Sequence, residues 1–199
     1  MIRLVTISAT LATIVVGILS SCELFQTRTP EPPTQASSSF VPPTSPQIVL
    51  QNLRNAIKER NTDNYVRCFA DSLTSAHSYQ FVPTEKAAAQ YYGVFTTWTL
   101  RNERQYFDNI KSHLSSASVP NLILSNDRFE YLSSDSAIYS ATYDLFIPHD
   151  VAGVPQTAHG NLQFTLGVDR NNMWMIYRWI DLSTGSEYTW SDFKGRFSY

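Results

Sequence analysis

Cysteine is nearly missing: two residues in 199 leave neither a disulfide framework nor a four-thiolate zinc site within reach. Charge is scarce as well. Asp, Glu, Lys and Arg make up 16% of the chain, against about 25% in an ordinary soluble domain. Fifteen basic and seventeen acidic side chains leave a formal net charge of -2, without the basic surplus that a phosphate backbone requires, so no nucleic acid partner is expected. The seven glycines are scattered, and a Gly-rich phosphate loop, an H-E-x-x-H helix and a G-x-S-x-G elbow are all missing. No cofactor and no metal are therefore expected. Apolar and aromatic residues, by contrast, reach 43% and 13% of the chain, enough to bury a core and too many for a disordered polymer.

The amino terminus has the layout of an export signal. Arg3 precedes an uncharged apolar stretch from Leu4 to Leu19, followed by Ser20, Ser21 and Cys22. An h-region needs roughly 7 to 15 apolar residues and a bilayer span about 20, so the stretch reads as a signal rather than an anchor. Leu19-Ser20-Ser21-Cys22 resembles the lipobox of bacterial lipoproteins. That resemblance implies cleavage between Ser21 and Cys22 and lipidation of the Cys22 thiol by acyl chains such as palmitate. It places the product in the bacterial cell envelope, held at a membrane. Each buried methylene contributes about 0.8 kcal/mol, so two or three chains retain what one would not. Glu23 follows the cysteine in place of the aspartate that holds many such proteins at the inner membrane, which favours the outer one.

Residues 1–21 thus read as signal and residues 22–45 as a lipidated, Pro/Ser-rich tether. Six of the ten prolines lie between Pro30 and Pro46, and prolines without backbone donors favour an extended, unfolded spacer. Residues 46–199 read as one domain. Ser45-Pro46 predicts a helix start, and Val49, Leu50, Leu53, Ala56 and Ile57 recur on one helical face. A break at Asn61-Thr62, with Thr62 as the expected cap, leads into a short helix that turns Tyr65, Val66 and Phe69 inward. Cys68 beside them reads as a small buried hydrophobe. A loop over Asp71–Pro83 precedes a helix capped by Thr84, and then a longer one with Leu100, Phe107, Ile110 and Leu114 on one face. Beyond Pro120 the period falls to 2 and strands are expected over Leu122–Leu132, Ala137–Ile147, Gly160–Val168 and Trp174–Leu182. Short connections between them require antiparallel neighbours, and helices segregated from strands require an α+β domain.

On strict alternation the last strand has Trp174, Ile176, Arg178 and Ile180 on one face and Met175, Tyr177, Trp179 and Asp181 on the other. Both are largely apolar, so helices are expected over one and either Thr189–Phe197 or a second protomer over the other. The order of elements, ending in Trp174-Met175-Ile176-Tyr177-Arg178-Trp179-Ile180-Asp181, resembles the NTF2-like superfamily, also called SnoaL-like or cystatin-like. The resemblance implies N-terminal helices packed on a curved antiparallel sheet that closes into a cone. It also implies an apolar pocket at the open end and homodimers through the sheet in many members. Acid-base enzymes and proteins without catalysis share that scaffold.

Candidate pocket-lining residues are Tyr65, Phe69, Phe107, Tyr139, Tyr143 and Phe164. The polar candidates are Asp144, His149, Asp150, His159 and Asp181, and a hairpin near Val154 would set His149 opposite His159. Strand patterning argues against that pair. Ala137 to Ile147 is apolar at odd numbers and Leu162 to Val168 at even ones, so matching the faces needs an odd-sum register that sends the two histidines to opposite sides. Asp181 is expected to receive backbone or arginine hydrogen bonds, and His113 to oppose a helix dipole. The catalytic residues are left unassigned. The expected function is a membrane-anchored lipoprotein whose domain binds an apolar small molecule or an envelope protein. The alternatives are a pocket enzyme (isomerase, dehydratase or hydrolase) and a structural dimerisation module.

Overall fold

The computed structural model describes residues 38–115, 118–185 and 187–199; the signal and Cys22 lie outside them. Ser39–Tyr199 forms one compact unit, which begins inside the stretch read as tether. Pro43 is buried, its carbonyl accepts the Trp174 amide at 2.7 Å, and the Asn52 side chain bonds both the amide and the carbonyl of Val41. Seven residues of the proposed spacer, 39–45, are therefore part of the folded unit.

Helix α1 (Pro46–Glu59) buries Val49, Leu50, Leu53, Ala56 and Ile57, the stripe its spacing predicts. Helix α2 (Thr62–Val66) is capped by Asn61, whose side chain accepts the Asn64 amide at 3.0 Å. This corrects the expected cap at Thr62, whose hydroxyl instead donates to Asp108 at 2.5 Å. The loop expected over Asp71–Pro83 contains strand β1 (Gln80–Val82), which is too short for periodicity to reveal. Helix α3 (Glu85–Gln90) is capped by Thr84 as expected, and helix α4 spans Leu100–Ser112, so Leu114, expected on its inward face, lies past its end in a bridge to His149.

Strands β2 (Asn121–Leu132), β3 (Ser136–Phe146), β4 (Thr157–Val168) and β5 (Trp174–Leu182) follow. The sheet order is β1-β5-β4-β3-β2, antiparallel except where β1 joins β5 in parallel. Ala137 faces Leu166, Tyr139 faces Phe164 and Ala141 faces Leu162, the odd-sum register that matching apolar faces demands.

Strict alternation fails in β5. The register slips by one between Thr165 and Leu166, so Tyr177 is the extra residue of a bulge. Trp174 and Ile176 before it, and Trp179 and Asp181 after it, consequently share the buried face, while Arg178 is exposed. The C-terminal segment forms helix α5 (Trp190–Arg196), and its side chains pack into the concave side of the sheet, against the same face that Trp179 occupies. It is an internal element rather than a cover for the outer face. The helices and the curved sheet make the α+β cone expected from the order of elements.

Candidate functional site

The interior of the cone is filled by the chain itself. Trp190 meets Trp179 edge-on at 4.5 Å between ring centroids, and Trp179 in turn meets Phe164 edge-on at 5.2 Å. Around this aromatic column lie two buried polar networks, both made to α5.

The first is centred on Glu103 of α4, which is 0% exposed. Its Oε2 accepts the Tyr65 hydroxyl at 3.0 Å, while Oε1 accepts the Tyr79 hydroxyl at 2.6 Å, the Trp98 indole N–H at 2.8 Å and the Lys194 ammonium. Lys194 is likewise 0% exposed. Its Nζ sits 3.7 Å from the Trp179 ring centroid and 3.8 Å from that of Phe81, a geometry in which ring quadrupoles attract a cation. Burial pushes the Lys194 ammonium down to about 8, against the opposing pull of the Glu103 carboxylate. Tyr65, Tyr79 and Tyr106 are pushed well above the usual tyrosine range, first by burial and then by that carboxylate.

The second network closes the N-terminus of α5. Asp181 Oδ2 accepts the amide and hydroxyl of Ser191 at 2.7 and 2.5 Å, and Oδ1 accepts the Tyr143 hydroxyl at 2.8 Å. Tyr143 Oη also accepts the Trp190 amide at 2.8 Å, and Thr189 forms a capping box with Asp192. The first amides of the helix are thus satisfied by side chains. Burial raises Asp181, opposed by the hydrogen bonds from Ser191 and Tyr143. Asp181 receives backbone and hydroxyl donors, as a strand-end carboxylate is expected to.

These networks do structural work. Glu103 is fully buried and accepts hydrogen bonds from four side chains of the surrounding elements. Glu103 and Lys194 were missed because a charged residue on an apolar stripe is discounted. Glu103 stands three residues after Leu100 and four before Phe107, while Lys194 stands four after Trp190 and three before Phe197. Their helical spacing was the available signal.

The six candidate lining residues are all buried. Tyr65 stacks on Phe107 at 4.1 Å and meets Phe69 edge-on at 5.1 Å. Tyr139 and Phe164 lie nearly parallel at 6.3 Å, and Tyr143 packs on Trp190 at 5.5 Å. The histidines are not brought together. His149 is buried, bonded to the Pro155 carbonyl at 2.9 Å, whereas His159 pairs with Asp144 at 2.7 Å on the outer face of the sheet. Asp150 pairs at 3.2 Å with His113, the C-cap of α4, and His77 stacks on Tyr177 at 4.2 Å. Cys68 is buried, donates to the Asn64 carbonyl at 3.3 Å, and burial pushes its thiol far up, leaving it a small hydrophobe. Among the described residues no group of three or more His, Cys, Asp or Glu side chains is placed to hold a metal.

An open groove of about 720 Å³ lies at one end of the cone, between the 40–43 segment, the end of α2, the start of α4 and the β4–β5 turn. Val66, Phe69, Leu100, Met173, Trp174 and Met175 supply its apolar lining, with Arg67, Arg101 and Arg104 among its polar residues. Its volume lies within the range of small-molecule sites, about 300 to 1,000 Å³. Of the candidate lining residues, Phe69 alone reaches it.

Neither a family model nor a curated protein matches the chain. Solved structures do. A candidate aromatic ring hydroxylase from Novosphingobium aromaticivorans aligns with TM-score 0.52 and 15% identity, covering 74% of this chain and 92% of that one. A candidate scytalone dehydratase from the same organism gives 0.51 and 10%, covering 68% and 78%. An NTF2-like superfamily protein from Salmonella enterica gives 0.50 and 11%, covering 70% and 92%. At such identities the likeness establishes the fold, which is the NTF2-like cone, and the same fold carries enzymes and non-catalytic proteins alike.

Proposed function

We propose that the protein is a lipid-anchored lipoprotein of the bacterial envelope, tethered through Cys22, whose domain is a non-catalytic binding module for an apolar small molecule. The observation that carries the reading is the occupation of the cone by α5. The space in which enzymes of this scaffold carry out proton transfer is taken by Trp190, Phe193 and the Lys194–Glu103 pair, all without appreciable exposure. A pocket enzyme needs an acid or base open to its substrate, and the buried carboxylates here are engaged by the protein's own donors. Binding then falls to the groove, whose aromatic and methionine surfaces suit an apolar body.

Two measurements test this reading. Fatty-acid labelling should mark the wild-type chain and leave Cys22→Ala unmarked; label persisting in the variant would remove the anchor. Native mass spectrometry of the full chain, ejected from detergent micelles, should show a small molecule retained by the folded protein. Ligand-free subunits throughout would count against the binding role, and a uniform ligand-free dimer would favour the structural alternative.

A further inference from the structure

The groove carries more than an apolar surface. Resting on the reading of the groove as the binding site, we propose that its ligand is an apolar carboxylate, an alkyl or aryl acid whose anionic head lies toward Arg67 and Arg101.

The argument is one of unspent charge. Two acidic residues line the groove; both keep their charge, but each carboxylate is turned to the amides of its own turn and neither is paired with a groove arginine. Asp71 Oδ1 accepts the Leu73 amide at 2.9 Å, and Asp169 Oδ1 accepts the amides of Asn171 and Met173 at 2.8 and 2.9 Å. Of the three arginines, Arg104 is paired with Asp63 at 2.7 Å. Arg67 holds its guanidinium 3.8 Å from the ring centroid of Phe40, itself part of the groove, and pairs with no carboxylate among the described residues. The Arg101 side chain makes no hydrogen bond or ion pair among the described residues. Two guanidinium groups therefore remain available in a protein whose formal net charge is -2, and both line a groove with a floor of Phe69, Trp174 and Met175.

That combination selects on both ends of a ligand. The planar guanidinium fork matches a carboxylate, often bidentately. The lining supplies aromatic rings and soft thioethers, which accept alkyl or aryl bodies without demanding one shape. A neutral analogue would keep the apolar contact and lose the charged one. An organic cation whose head lay at the same end would meet repulsion from Arg67 and Arg101, offset in part by Asp71 and Asp169 elsewhere in the lining.

The test uses the full chain in non-ionic detergent and three probes sharing one body: naphthalene-2-carboxylate, 2-naphthalenemethanol and 2-naphthylmethylammonium, titrated calorimetrically. The carboxylate should bind at least roughly tenfold more tightly than the alcohol, as expected for a charge-assisted contact, and the ammonium least well. In the double variant Arg67→Gln/Arg101→Gln, which alters exposed side chains only, carboxylate and alcohol should bind alike. Equal binding of both by wild type, abolished by Met173→Lys, would leave the groove as the binding site and overturn its preference for an acid. A preference that survives the double variant would also overturn the proposal. Failure of all three probes to bind would overturn the groove itself as a small-molecule site.

Discussion

Lys194 has the least ordinary environment of any side chain described, a cation buried among four aromatic rings with Glu103 as its counter-charge. Such pairs contribute little net stability relative to an apolar replacement, yet breaking one leaves a charge uncompensated. Lys194→Met should therefore cost about 3 kcal/mol, because Glu103 keeps Tyr65, Tyr79 and Trp98 but loses its cation. Glu103→Gln should cost a similar amount by leaving Lys194 unpaired. The double variant should cost less than the two losses together, with a coupling energy of about 1 kcal/mol or more. Urea midpoints of the four proteins give that cycle, and strict additivity would mean that the two residues act independently. The candidate residues Tyr65, Phe107, Tyr143 and Phe164 were visible in the sequence as inward aromatics. Which of their hydroxyls meets a carboxylate was not, because Tyr65 and Glu103 lie 38 positions apart and no local pattern links them.

Among the elements, α5 depends closely on its neighbours. At seven residues it is too short to be stable alone, and it is held by its cap, by Asp181 and Tyr143, and by the rings it inserts. Gly160 on β4 makes that arrangement possible. A Cβ there would stand 2.7 Å from Tyr143 Oη and 2.8 Å from the Leu182 carbonyl oxygen. Gly160→Ala should push Tyr143 off Asp181 and the Trp190 amide and destabilise the fold by about 1 to 3 kcal/mol. Hydrogen exchange should then accelerate at the Trp190 and Ser191 amides while α1 stays protected; uniform acceleration would refute the local account. Gly195, where a Cβ would lie 2.3 Å from the Tyr91 ring, anchors α5 against α3 in the same way. Helix α1 and the β3–β4 pair, by contrast, were readable from sequence because each announces its buried face by repetition over many residues. The bulge at Tyr177 was not, since one extra residue leaves the composition of β5 unchanged.

For the whole molecule, buried ionisable groups shape the response to alkali. Lys194 loses its proton near pH 8 in the fold and near pH 10.4 in the unfolded chain. The unfolded state holds more protons between those values, so stability should rise with pH in that window. Tyr65, Tyr79, Tyr106 and Tyr143 act in the opposite sense. Their folded values are raised, so the stability they contribute is complete below about pH 10, the unfolded tyrosine value, and is lost as pH climbs above it. Denaturant midpoints should thus climb from pH 8 toward 10 and then fall. Lys194→Met should lack the climb but keep the fall. Tyrosinate absorbance should show these four rings ionising together with unfolding, and their titration in the folded protein would contradict the buried placement.

By itself the sequence determined that α1 to α4 precede the four long strands, the inward stripes of α1 and α4, the alternating faces of β3 and β4 and, through them, the register that separates His149 from His159. Those features follow from hydrophobic period, which a local stretch of chain carries entirely. Tertiary structure alone decided that 39–45 joins the fold, that Gln80–Val82 pairs with β5, and that β5 bulges. It alone decided that α5 fills the cone, carrying Lys194 to Glu103 across 91 positions, and that a groove opens beside Arg67 and Arg101. These outcomes are set by contacts between distant segments, where burial of one side chain is settled by what another element brings to meet it.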